Sequence, residues 1–174
     1  MEIWDLDKVV EEFEKMNNRF SNFFKTKTRD ASERAKQYAQ GLIFSEGHSN
    51  MVKFAKKVPD SDNQSLQHFI SNSPWDDEAL IIEIQKSVVE SIGDAEHGSI
   101  HGDEKGFPKK GNSTVGVKRQ YCGNLGKVEN CQVGVFLGYH NSDGNYRALI
   151  DKKIISSGGM GRRYGKAKGL WRAR

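Results

Sequence analysis

Nothing in the chain is apolar for long enough to cross a bilayer. The longest such runs, near Ala79 to Ile84 and Val133 to Leu137, fall far short of the ~20 residues a spanning helix needs. The start, M-E-I-W-D-L-D, lacks the basic residues and apolar stretch of a secretory leader. A cytoplasmic protein with no membrane partner is the expectation. Cysteine is scarce: Cys122 and Cys131 are the two, and their spacing of nine fits no zinc motif, whose ligand pairs sit two to four residues apart. Reduced thiols are the simpler reading, with a mixed site using His101 or His140 as the alternative. Acidic residues are missing from positions 152–174, where eight Lys and Arg stand alone. Without those eight, the 19 remaining basic residues face all 23 acidic ones, a net of −4. The basic pI of the whole chain therefore belongs to its tail, and any argument for nucleic-acid binding has to rest on local clusters.

What is present divides at about residue 94. Before it, apolar residues recur at helical spacing. Val9, Phe13, Met16 and Phe20 mark one face of an opening helix. A second helix is expected from Asp30, with Glu33 completing a capping box and Ala35, Tyr38, Ala39 and Leu42 facing inward. Shorter helices follow at Asn50–Lys57, stopped by Val58-Pro59, and at Gln64–Ile70. Ser73-Pro74 reads as a cap and first turn for a helix that buries Leu80, Ile81, Ile84, Val88 and Ile92. The two short helices could be a helix-turn-helix, with Asn63, Gln64, Gln67 and His68 suited to groove contacts, or an ordinary helical hairpin. Residues 1–94 hold 12 basic and 17 acidic side chains, so such a domain binds DNA only through a localised face.

After residue 94 glycine becomes frequent and β-type runs appear at Thr114–Val117, Gln132–Tyr139 and Tyr146–Ile150. The turn signal Asn141-Ser142-Asp143-Gly144-Asn145 joins the last two as a hairpin. The densest chemistry lies between Asp103 and Leu137: an acidic pair, Asp103-Glu104, followed by six glycines and six basic residues. A carboxylate on a strand can help hold Mg²⁺ for phosphodiester chemistry. Gly106 and Gly111 have phosphate-loop spacing, but Asn112 stands where that loop needs lysine, which excludes an NTPase. Lys109, Lys110, Lys118, Arg119 and Lys127, interleaved with Phe107 and Tyr121, form a basic set able to contact backbone phosphates.

The run G-F-P-K-K-G, continued by S-T-V-G-V-K-R-Q-Y-C-G-N-L-G-K-V-E-N-C-Q-V-G-V-F-L, resembles DDE-type transposases of bacterial insertion sequences. Y-A-Q-G-L-I and L-Q-H-F-I-S-N-S-P-W-D are similar to the same family's leading helical region, and the resemblance covers Gln37 to Lys152. It implies an α+β protein: an all-helical N-terminal domain over 1–94, able to bind DNA, then the opening strands of an RNase H-like domain over 95–152. It also implies a metal-dependent transposase that cuts and joins DNA at insertion-sequence ends, using Mg²⁺ or Mn²⁺ held by three carboxylates. The first of these falls on Asp103, as catalytic residue and metal ligand. The resemblance places the other two beyond this chain, and Glu129, Asp143 and Asp151 match neither motif. It therefore implies a truncated, inactive fragment of a transposase. The alternative is a non-enzymatic DNA-binding or transposase-binding fragment that regulates an intact relative.

The tail carries its own signal. Where the family continues with a segment like R-L-Y-L-P-x-x-W, this chain reads K-I-I-S-S-G-G-M-G from Lys153. One choice of codons for that segment is AAA ATT ATA TCT TCC GGA GGA ATG GGT. Read one base later, they give K-L-Y-L-P-E-E-W. The expectation is a shifted frame and a disordered basic tail over 153–174, against the alternative of a native basic tail that binds nucleic acid.

Overall fold

Helical periodicity gives way to strand alternation near residue 98, and the architecture follows that change. The computed structural model describes residues 5–47, 50–111, 113–114, 116–141 and 146–155. The expected turn at 142–145, Asn112 of the phosphate-loop comparison and the tail from 156 lie outside the described residues. Two units are formed, one up to Leu80 and one from Ile81. Together they hold five α-helices and a four-stranded antiparallel sheet among the described residues, an α+β protein. No described helix is long and apolar enough to cross a membrane.

The first unit contains α1 (Leu6–Phe20), a short 3₁₀ turn, α2 (Ser32–Ile43), α3 (Met51–Lys57), α4 (Asn63–Asn72) and the start of α5 (Asp77–Ile92). Its core is aromatic. Phe24, Tyr38, Phe54, Phe69 and Trp75 meet with ring centroids 5.6 to 6.2 Å apart, and Val58 and Leu66 are buried with them. In α1 the expected stripe is only partly covered: Phe13 and Phe20 are half-buried, while Val9 and Met16 are exposed.

Three expectations are corrected here. The buried positions of α2 are Gln37 and Gly41, and Leu42 is exposed. The reason is that Gly41 admits the Phe54 ring, since a Cβ there would lie 2.5 Å from Phe54 Cγ. Gln37 faces inward to donate to the Asp60 carbonyl at 3.1 Å. Asp30 does not form a capping box with Glu33; its carboxylate accepts from the Ser32 amide and hydroxyl instead, and α2 begins at Ser32. Ser73 closes α4 rather than opening α5. Trp75, stacked on Phe69, holds the chain extended, and Asp76 caps the Ala79 amide at 2.9 Å.

The second unit joins most of α5 to β1 (Ser99–Pro108), β2 (Lys118–Cys122), β3 (Lys127–His140) and β4 (Arg147–Ile155). β3 is the hub: β1 pairs along Cys131–His140, β2 along Lys127–Cys131 and β4 along Val133–His140. One sheet face carries the buried Cys122, Cys131 and Tyr139. It is tied to α5 by Gln85, whose amide donates to the Ile150 carbonyl at 3.0 Å. The Tyr139 hydroxyl accepts from the Asp94 amide and donates to the Ile92 carbonyl. Of the expected strand at Thr114–Val117, Val115 lies outside the described residues; the Val117 amide donates to the Thr114 carbonyl at 3.1 Å, Gly116 stands at φ +76°, and pairing starts only at Lys118. A Cβ at Gly116 would sit 2.5 Å from the Ile155 carbonyl, so β-branched neighbours do not decide this segment.

Candidate nucleic-acid and metal site

Asp103 lies in the middle of β1, opposite Phe136, and is exposed. Side chains alternate across a sheet, so its neighbour Glu104, opposite Val135, points to the other face. Asp151, opposite Leu137, and Glu129, opposite Gln120, share the face of Glu104. Asp103 is therefore the only acid on its face among the described strand residues. One of its oxygens accepts from the Glu104 amide at 2.8 Å. No group of three or more His, Cys, Asp and Glu that could hold a metal occurs among the described residues. Two-metal phosphodiester chemistry needs carboxylates from separate elements, and this donor set does not fit a Mg²⁺ or Mn²⁺ pair.

The five basic residues do not act as one set. Asn130 organises three of them. Its side-chain amide donates to the carbonyls of Lys109 and Gly111, each at 3.0 Å, and its backbone carbonyl accepts from the Lys109 amide. Arg119 is the β2 residue opposite Asn130. Lys109, Lys110 and Arg119 are thus gathered at one corner of the sheet. Lys118 alternates to the opposite face, and Lys127 is engaged with Glu129 at 3.2 Å. The Glu129 carboxyl is held below its ordinary value by the Asn130 amide and then by Lys127.

Asn130 and Phe136 share a face, and six residues of strand separate them, about 20 Å. The basic corner and Asp103 are therefore two ends of one face. Between them Phe107 and Phe136 meet at 6.1 Å. Gly134 leaves room for both rings, which a Cβ there would approach to 3.0–3.3 Å.

Sequence spacing missed Lys105 and Lys152, which also lie on the Asp103 face, two residues along β1 and opposite Phe136 on β4. Only the strand register brings Lys152 there. Gly106 is not part of a phosphate cradle. It is buried within β1, and a Cβ on it would lie 2.8 Å from Cys122 Sγ. The mixed thiol–imidazole site is ruled out by the sheet itself. His101 and His140, with rings 6.1 Å apart, stand on the exposed face, and Cys131 stands on the buried one. Desolvation raises the Cys131 thiol above its ordinary value.

A family model described as DDE superfamily endonuclease matches residues 19–151. A protein of Microchaete diplosiphon, described as "Probable transposase for insertion sequence element IS701", is 37% identical over 103 residues. The match covers 56% of this chain and 27% of that protein, so this chain corresponds to about a quarter of its relative's length. No solved structure matches the chain.

Proposed function

The chain belongs to the DDE superfamily endonucleases, of the type found in insertion-sequence transposases, and on that premise we propose that it serves DNA transposition as the DNA-handling part of such an enzyme. In this reading the segment over 95–152 is the opening portion of an RNase H-like domain, and Asp103 is its first metal-binding carboxylate. The observation that carries the reading is the exposed sheet face: one acid at mid-strand, Lys105 and Lys152 beside it, and the Lys109–Lys110–Arg119 corner about 20 Å along. A duplex rises 3.4 Å per base pair, so this face spans roughly six steps of DNA backbone. The family generally uses divalent metals. Asp103 alone among the described strand residues offers a carboxylate on this face, so we propose binding without strand cleavage by this chain.

The test is a duplex carrying an insertion-sequence end, titrated with salt and then incubated with Mg²⁺ or Mn²⁺. Binding should weaken with salt. The triple variant K109Q/K110Q/R119Q should lower the slope of log K against log salt by about three. Nicking that disappears in Asp103→Asn would overturn the single-carboxylate reading, and salt-independent binding would overturn the DNA-handling one.

A further inference from the structure

In a chain with 29% charged residues, α4 has none: N-Q-S-L-Q-H-F-I-S-N contains no Lys, Arg, Asp or Glu. Leu66 and Phe69 bury one side of the helix, leaving Gln64, Gln67 and His68 exposed on the other. With Asn50, Asn63 and Asn72 these residues line a shallow depression of about 590 Å³ between the start of α3 and the length of α4. Five carboxamides and an imidazole thus share one concave surface without a single formal charge.

That chemistry selects its ligand. An uncharged surface is a poor site for a bare phosphate or a metal ion. A carboxamide sets a donor beside an acceptor, which matches the N7 acceptor and N6 donor that adenine displays in the major groove. The helix is ten residues long, about 15 Å, and the groove is wide enough to admit it. Gln67 is already oriented, because its amide donates to the Ser71 hydroxyl at 2.8 Å. The connection between α3 and α4 is also fixed: Gln37 and Arg34 both donate to the carbonyl of Asp60, which sits at φ +56°. A phosphate contact is available alongside at Lys56, since α3 carries no acid, while the Lys57 ammonium donates to the Phe44 carbonyl at 2.7 Å. Lys56 falls one turn beyond the groove-lining Val52.

We propose that the exposed face of α4 reads adenine-bearing base pairs in the major groove of duplex DNA, with Gln64 and Gln67 as the specificity-determining residues and Lys56 as a phosphate contact. This rests on the reading of the chain as a DNA-handling protein, and the experiment separates the two. The full chain is used to select from duplexes with a randomised 12-base-pair centre, and the bound fraction is sequenced. Wild type should enrich A·T pairs at fixed positions. Q64A or Q67A should reduce that discrimination about tenfold or more at one position each, with the salt slope unchanged. Q67R should move the preference at its position toward guanine. K56Q should weaken all sequences alike and lower the salt slope by about one. Salt-dependent binding without base preference, or an enrichment that survives both alanine substitutions, would overturn the α4 assignment and leave DNA handling intact. Failure to bind any duplex would remove both.

Discussion

At the scale of single residues, the helical unit depends on what is missing from Gly41. Alanine is the better helix former by about 1 kcal/mol. Its methyl, however, would stand 2.5 Å from Phe54 Cγ, in the aromatic core. Overpacking a core costs about 1–3 kcal/mol, so the steric penalty wins. Gly41→Ala should lower the midpoint of thermal unfolding, followed by circular dichroism, by about 4–8 °C for each kcal/mol lost. This position also shows the limit of reading the sequence. The 3.6-residue pattern located α2 but turned its inner stripe toward Leu42. A pattern of apolar residues cannot register that a glycine and a glutamine face the core, one to admit a ring and the other to tie down a distant carbonyl. Asp103 shows the converse. Its place on a strand followed from the resemblance, but its isolation from Glu104 and Asp151 depends on alternation and strand register together.

Among the elements, the starts of α3 and α4 fall within one residue of the expected ones, and a local cap sets each. Asn50 accepts from the Lys53 amide and Asp62 from the Ser65 amide, and α3 and α4 begin where those residues stand. Boundaries were illegible where tertiary packing intervened, as at Ser73, which Trp75 holds outside α5. The Asp62 cap carries a pH dependence. Its carboxyl lies below the ordinary carboxylate value because the Ser65 hydroxyl, and then the Ser65 amide, hydrogen-bond to the ionised form. A depressed folded value means that the cap stabilises above the unfolded carboxylate range and is lost as pH falls through the folded value. Acid titration of helicity should therefore show a low-pH loss that is smaller in Asp62→Asn, whose amide oxygen accepts the same bond without titrating. Identical acid profiles for the two proteins would discard the cap as its origin.

On the scale of the whole molecule, β4 reaches Ile155, with Lys153, Ile154 and Ile155 opposite Val135, Gly134 and Val133. We propose that the reading frame shifts near codons 152 and 153, and the continued strand is compatible with such a change. One choice of codons for Ile-Ile, ATT ATA followed by T, spells Leu-Tyr in the next frame, and both pairs are able to extend a strand. Sequencing the DNA across codons 150 to 165 tests this: K-L-Y-L-P-E-E-W should appear one base out of frame, and its absence rejects the shift. The α+β division was legible at this scale because the change of period near residue 98 is sharp. The sheet's order was not. β3 binds three partners, and nothing local in Lys127–His140 announces that β1, twenty residues earlier, lies along it.

β1, like β2 and β4, hydrogen-bonds only to β3 among the described residues, and as the longest of the three it has a further consequence. Its outer margin leaves a ten-residue row of backbone groups open to another chain, the arrangement from which edge-to-edge aggregation grows. Asp103, Glu104 and Lys105 stand at the middle of that row and place charge on both faces of it. Neutralising Asp103, the obvious control in any cleavage assay, also removes one of the guards against self-association. A loss of signal in that variant reports on colloidal behaviour as much as on chemistry unless a lysine at the same position, which keeps a charge but cannot bind a cation, is measured beside it.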